Sequence, residues 1–245
     1  MSGTAASASA RYRDYAAARG RILTAAMKRI PLTSVAQQAR TLSLWNGKAV
    51  EPADEVQLAM VFDLGVLDPV GEHQRGLDRQ LKAEPPAPGS AEGKVAQALL
   101  RAEFGIFRLL GPHPEGGARI ERFPGGEQLW LMDRFLGQRP PGGLFGARLI
   151  WPDEEFAMTC GTIVPLDSQA IEHLLLGVGP QRGPVLPRLT APEEDAPAIE
   201  RILAEPAARM RLESLPRSPG FAARVYRTAI DLGLAGPIPR RTPPQ

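Results

Sequence analysis

Residues 104–165 read FGIFRLLGPHPEGGARIERFPGGEQLWLMDRFLGQRPPGGLFGARLIWPDEEFAMTCGTIVP, and this stretch decides the fold. Short apolar runs alternate with turn-forming clusters: Gly111-Pro-His-Pro-Glu-Gly-Gly117, Pro124-Gly125-Gly126, Pro140-Pro141-Gly142-Gly143 and Pro152-Asp153-Glu154. The spacing predicts about five strands, Phe104–Leu110, Ala118–Phe123, Glu127–Asp133, Phe145–Trp151 and Phe156–Val164, in a small antiparallel β-meander or partly open barrel. The glycine pairs suit hairpin turns better than a phosphate cradle. In the third strand Leu129 and Leu131 share one face and Trp130 and Met132 the other; in the last, Phe156, Met158 and Cys160 share a face.

Outward from this module the periodicity turns helical, giving an α+β class with N-terminal and C-terminal helices. Tyr15, Arg19, Ile22, Leu23, Ala26, Met27 and Ile30 recur at helical spacing until Pro31. Thr33 or Ser34 is placed to cap a second helix, Asp54 a third, and Gly76–Ala83 forms a short fourth. Glu84-Pro-Pro-Ala-Pro-Gly-Ser90 is punctuation, with Ser90 capping the helix that leads into the module. Beyond it, Asp167 caps a helix stopped by Gly177. Thr190-x-x-Glu193 is a capping-box pattern, with Asp195 ahead of Pro197 as another start, and Ser218-Pro219 reads as an N-cap and first helical position. The domain plan is therefore a disordered 1–10, a helical section 11–84, a linker 85–90, a helix plus β-module 91–166, C-terminal helices 167–235 and a disordered tail 236–245.

Of the 245 residues, 25 are Gly and 25 are Pro, and the single cysteine excludes an internal disulfide or a cysteine-based zinc cluster. A formal net charge of +2 does not imply a nucleic-acid partner. Arg, Ala, Gly and Pro are abundant together, as in chains from GC-rich bacterial genomes. No apolar run reaches the roughly 20 residues that span a bilayer, and Met1–Ala10 lacks the apolar core of a signal peptide, so no membrane and a cytoplasmic location are expected. Charge is uneven: residues 1–50 carry Arg11, Arg13, Arg19, Arg21, Lys28, Arg29, Arg40 and Lys48 against Asp14 alone, while residues 51–84 are acidic. Two mutually attracting surfaces, or a basic arm for an acidic partner, would both produce this.

No catalytic pattern stands out. His73, His113 and His173 are isolated, His113 reading as an exposed loop residue, so no metal site is expected. Cys160 lies mid-strand among apolar residues and reads as core. Gly177-Val-Gly-Pro-Gln-Arg-Gly183 lacks the flanking strand and helix of a nucleotide loop, and no cofactor is expected. Glu193-Glu194-Asp195 is explained by the helix dipole. Val35–Leu44 resembles the first half of a helix-turn-helix, but Asn46-Gly47 and Pro52 interrupt what should follow. The candidate binding residues are Trp130, Arg134, Trp151, Arg119 and Arg148 on the module. They suggest a non-enzymatic protein-binding or adaptor protein whose partner is another protein. Nucleic-acid binding through the basic N-terminal helix and the module's arginines, or an enzyme site assembled from distant residues, are the alternatives.

The segments Ala98-Leu-Leu-Arg-Ala-Glu-Phe104-Gly-Ile-Phe107-Arg-Leu, Asp133-Arg-Phe135, Gly143-Leu-Phe-Gly-Ala147-Arg-Leu and Met158-Thr-x-Gly161 resemble a group of uncharacterised bacterial proteins. In these a helical N-terminal half precedes a compact β-module, and similar modules occur in proteins ending in a cysteine-rich SEC-C motif. The resemblance covers roughly residues 33–175. It implies a fold plan and a bacterial, cytoplasmic setting, but no reaction. The cysteine cluster is absent, so zinc binding does not carry over.

Overall fold

The computed structural model describes residues 7–69, 71, 74–177 and 191–237. Among the described residues five α-helices precede the sheet: α1 (Ala8–Met27), α2 (Leu32–Thr41), α3 (Glu55–Leu67), α4 (Gly76–Ala83) and α5 (Ala91–Leu100). The sheet strands are β1 (Glu103–Pro112), β2 (Ala118–Arg122), β3 (Gln128–Leu131), β4 (Leu144–Ile150), β5 (Met158–Thr159) and β6 (Val164–Leu166). Among the described residues four α-helices follow: α6 (Ser168–Leu176), α7 (Pro192–Leu203), α8 (Pro206–Ser214) and α9 (Phe221–Asp231).

Local chemistry accounts for most helix starts. Asp54 Oδ1 accepts from Gln57 N at 2.9 Å, Ser90 Oγ from Gly93 N at 3.0 Å, and Asp167 Oδ1 from Ala170 N at 2.8 Å. Three starts differ from the sequence reading. α1 begins at Ala8, one turn early, capped by Ser7. α2 follows Pro31 directly, because the fixed φ of proline suits the position before the first turn. α9 starts after Gly220 rather than at Ser218-Pro219; Gly220 takes φ 69°, which a residue with a Cβ resists. Asp195 lies in the first turn of α7, and Pro197 sits inside that helix. Thr190, most of Gly177–Leu189, residues 1–6 and 238–245 lie outside the described residues, as does His73.

The strands form one antiparallel open sheet in the order β3-β2-β1-β4-β5, with β6 also on β4. A closed barrel is not formed: the two ends of the sheet are joined by a single parallel bridge, Leu131 to Ala157, not by a ladder. The expected last strand, Phe156–Val164, is two strands. β5 pairs with Leu149 and Ile150, and β6 with Leu144–Gly146 on the same edge of β4. The chain between them turns at Gly161, where a Cβ would collide with the carboxylate of Asp63 from α3.

The two faces of the curled sheet bury different cores. Phe107, Leu109, Ile120, Leu131, Phe145 and Leu149 fill the concave side. Phe104, Ile106 and Leu144 face α9, α6 and α3 on the other. A third core joins α1, α4 and α5 to Phe156, Met158 and Cys160. The proline-rich stretch 85–90 is thus a connection within one shared core, since α1 packs on α5 beyond it. Among the described residues no helix is long and apolar enough to cross a membrane.

Candidate functional site

The five residues singled out from the sequence do not form one patch. Trp130 is half-buried: its Nε1 donates to Gly116 O at 2.7 Å, and its ring stacks on His113 with centroids 4.2 Å apart. His113 is therefore half-buried against an aromatic face and not a free loop residue. Arg119 lies opposite Trp130 across β2 and β3 and is exposed. Trp151 has other neighbours, with the Arg122 guanidinium 5.6 Å above its ring and Glu103 holding Arg122 at 2.9 Å. Arg134 is exposed in the loop after β3.

Arg148 is a correction. It is 5% exposed and offers no binding surface. Register explains this: Arg148 stands opposite Phe104 in the β1–β4 ladder, so its side chain joins the face that α9 covers. There its Nη2 lies 2.9 Å from Asp68 Oδ1 and 3.7 Å from Asp63 Oδ2. These are ion pairs without aligned N–H bonds, and Nε has no acceptor. Tyr226 of α9 donates its hydroxyl to Asp63 Oδ2 at 2.6 Å and lies 3.1 Å from Thr162 O. Burial raises the Asp63 carboxyl above its ordinary range, opposed by Arg148 and the Tyr226 hydrogen bond. Burial acts to lower the Arg148 guanidinium, but the two aspartates outweigh it and push it upward. Burial, and after it Asp63, raises the Cys160 thiol against the opposing pull of Arg148 and Arg19, so the thiol stays protonated.

Two concavities are lined in part by the sheet, and the second of them adjoins this node. The first is a groove of about 540 Å³ between the module and α7, with Leu109, Phe145, Ile163, Pro165 and Ile199 among its walls. Phe135 stands at its edge, 84% exposed. Its loop is held: Asp133 Oδ1 accepts from both Phe135 N and Leu136 N at 3.0 Å, and Asp133 O from Gly137 N. Arg134 and Arg139 flank this aromatic in sequence.

The second is a larger cleft of about 1160 Å³ between α2, the start of β1 and the start of α9. Phe104, Phe123 and Phe221 supply apolar wall, and Gln38, Asp68 and Arg148 polar wall. Neither His113, His173 nor Cys160 lines it. Among the described residues no cluster of His, Cys, Asp and Glu is arranged to hold a metal.

The basic N-terminal helix is largely engaged within the protein. Arg11 pairs with Asp153 at 3.1 Å and with Glu155, Arg19 donates to Thr159 O, Arg21 pairs with Glu92, and Arg29 pairs with Glu84 at 2.6 Å.

Sequence reasoning missed Asp63, Asp68, Tyr226, Gln38 and Phe135. Asp63 had a visible signal, an acid inside the apolar run Met60-Val-Phe-Asp-Leu64. The others had none, since their partners are distant in the chain. No protein-family model, curated protein or solved structure matches this chain.

Proposed function

We propose that this chain is a non-enzymatic binding protein that takes an apolar segment of another protein into the groove beside Phe135. One observation carries the reading. A phenylalanine is left 84% exposed on a loop that Asp133 braces through two hydrogen bonds, at the rim of an apolar groove. An aromatic displayed on a fixed turn beside a concave apolar surface has the composition of an interface hot spot. The groove's charged rim carries both signs, with Arg108 and Arg139 against Asp133, Asp195 and Glu200. That mixture suits a polypeptide better than a polyphosphate. The internal pairing of Arg11, Arg19, Arg21 and Arg29 also favours a protein partner over nucleic acid. Of the residues read from the sequence, Trp130, Trp151, Arg119 and Arg134 all lie outside the groove lining, Arg134 being exposed and next to Phe135 in sequence. The bacterial, cytoplasmic setting implied by the resemblance belongs to this proposal.

Selection from a displayed random-peptide library tests it. Enriched peptides should carry an apolar anchor and lose at least about tenfold in affinity against Phe135→Ser. They should bind Trp151→Ala and wild type alike. Peptides that bind Phe135→Ser as tightly as wild type would sink the reading.

A further inference from the structure

The larger cleft collects hydrogen-bond donors that the protein does not use. α9 starts without a side-chain cap, since Gly220 occupies the cap position. Its first turn, Phe221 to Ala223, lines the cleft. Ala222 and Ala223 are 4% and 7% exposed, and their N–H groups have no acceptor among the described residues. A helix of this length gathers partial positive charge at such an end.

A second feature points the same way from another element. Gln38 of α2 is 6% exposed and lines the cleft, yet its carboxamide has no hydrogen-bond partner among the described residues. Its amide atoms are not sealed from the cleft, so they are free to pair with a ligand there. Arg148, also at the wall, keeps an Nε–H without an acceptor.

The charges lining the cleft decide the sign of the ligand. Asp68 is held by Arg148, Glu103 by Arg122, and Glu213 by Arg209. Each lining acid therefore has a cation beside it, Arg148 being shared between Asp68 and the buried Asp63. Arg217, exposed at the cleft beside the start of α9, has no ion-pair partner among the described residues. Among the described lining residues, Arg217 and the α9 N-terminus are positive groups with no carboxylate beside them.

We infer that the α2–α9 cleft is a binding site for a small organic oxyanion, a phosphate monoester or a carboxylate. Its charged head accepts from the α9 N-terminus and Gln38, and its apolar body lies against Phe104, Phe123 and Phe221. The volume of about 1160 Å³ exceeds what a bare phosphate fills, so the organic body contributes to affinity. This site is separate from the Phe135 groove and does not depend on it.

Titration calorimetry with phenyl phosphate, benzoate and inorganic phosphate tests the inference. Phenyl phosphate or benzoate should bind at one site, more tightly than inorganic phosphate, and the tighter of the two identifies the head group. Pro219→Asp sets a carboxylate of the protein's own beside the α9 N-terminus and should abolish binding. Gln38→Leu should weaken it at least about tenfold. Arg217→Ala, an exposed change that leaves the fold intact, should weaken it severalfold and lower its salt dependence. Thermal melts of each variant report folding. If neither organic probe binds, or binding persists unchanged in folded Pro219→Asp or Arg217→Ala, the inference is overturned.

Discussion

The Phe135 groove and the α2–α9 cleft sit on one sheet but expose different things. The groove shows an aromatic side chain over apolar walls, and its main polar residue, Asp133, is occupied in bracing the loop. The cleft shows apolar walls with unused donors, beside a node where Arg148, Asp63, Asp68 and Tyr226 are tied together. In the two proposed sites, affinity in the first rests on covering exposed carbon. In the second it depends on supplying an acceptor. The groove's key residue can therefore change without cost to the fold, whereas the cleft's floor is structural.

Arg148→Ala breaks that comparison most severely. It removes the cation between the buried Asp63 and the half-buried Asp68 and should cost about 3–5 kcal/mol in urea denaturation. A variant as stable as wild type would show that the node does not anchor the floor of the cleft. Asp63→Asn should cost less, about 1–3 kcal/mol, because the amide oxygen still accepts from Tyr226. It should also alter the pH dependence. Asp63 is raised above its ordinary 3.8 by burial, so the folded chain holds this proton more tightly than the unfolded chain. Its contribution is complete below 3.8 and is lost as pH rises through the folded value. Urea melts taken upward from about pH 4 should show a steeper decline in wild type than in Asp63→Asn, where Asp167, also raised by burial, still contributes. Phe135→Ser should have the smallest effect on stability, within about 0.5 kcal/mol, because the side chain is already in water. A larger loss would mean that Phe135 packs in solution and is not displayed.

The helix-then-sheet-then-helix order and the turn positions were legible because glycine and proline act locally. Asp54, Ser90, Asp167 and Gly177 end or start helices through groups a few residues away. The break between β5 and β6 was not legible: Gly161 bends there to accommodate Asp63, a residue of another element. Arg148 shows the same limit. The run Leu144–Ile150 is buried on both faces, so alternation could not say that its arginine points inward. The start of α9 was misplaced because Ser218-Pro219 is a good local signal. In the fold Ser218 instead donates its hydroxyl to Leu215 O and accepts from Arg224.

The sequence alone therefore determined the α+β class, the turns of the meander and the absence of an internal disulfide. Each follows from local backbone preference or from counting residues. Tertiary structure decided which polar groups are spent and which are free. Arg11, Arg21 and Arg29 find acids in other elements, Arg148 is enclosed by α3, and the N–H groups of Ala222 and Ala223 have no acceptors among the described residues. Hydrogen bonds and ion pairs act over a few ångströms in space, whatever the separation along the chain, so only the folded arrangement shows which groups are left to meet a ligand.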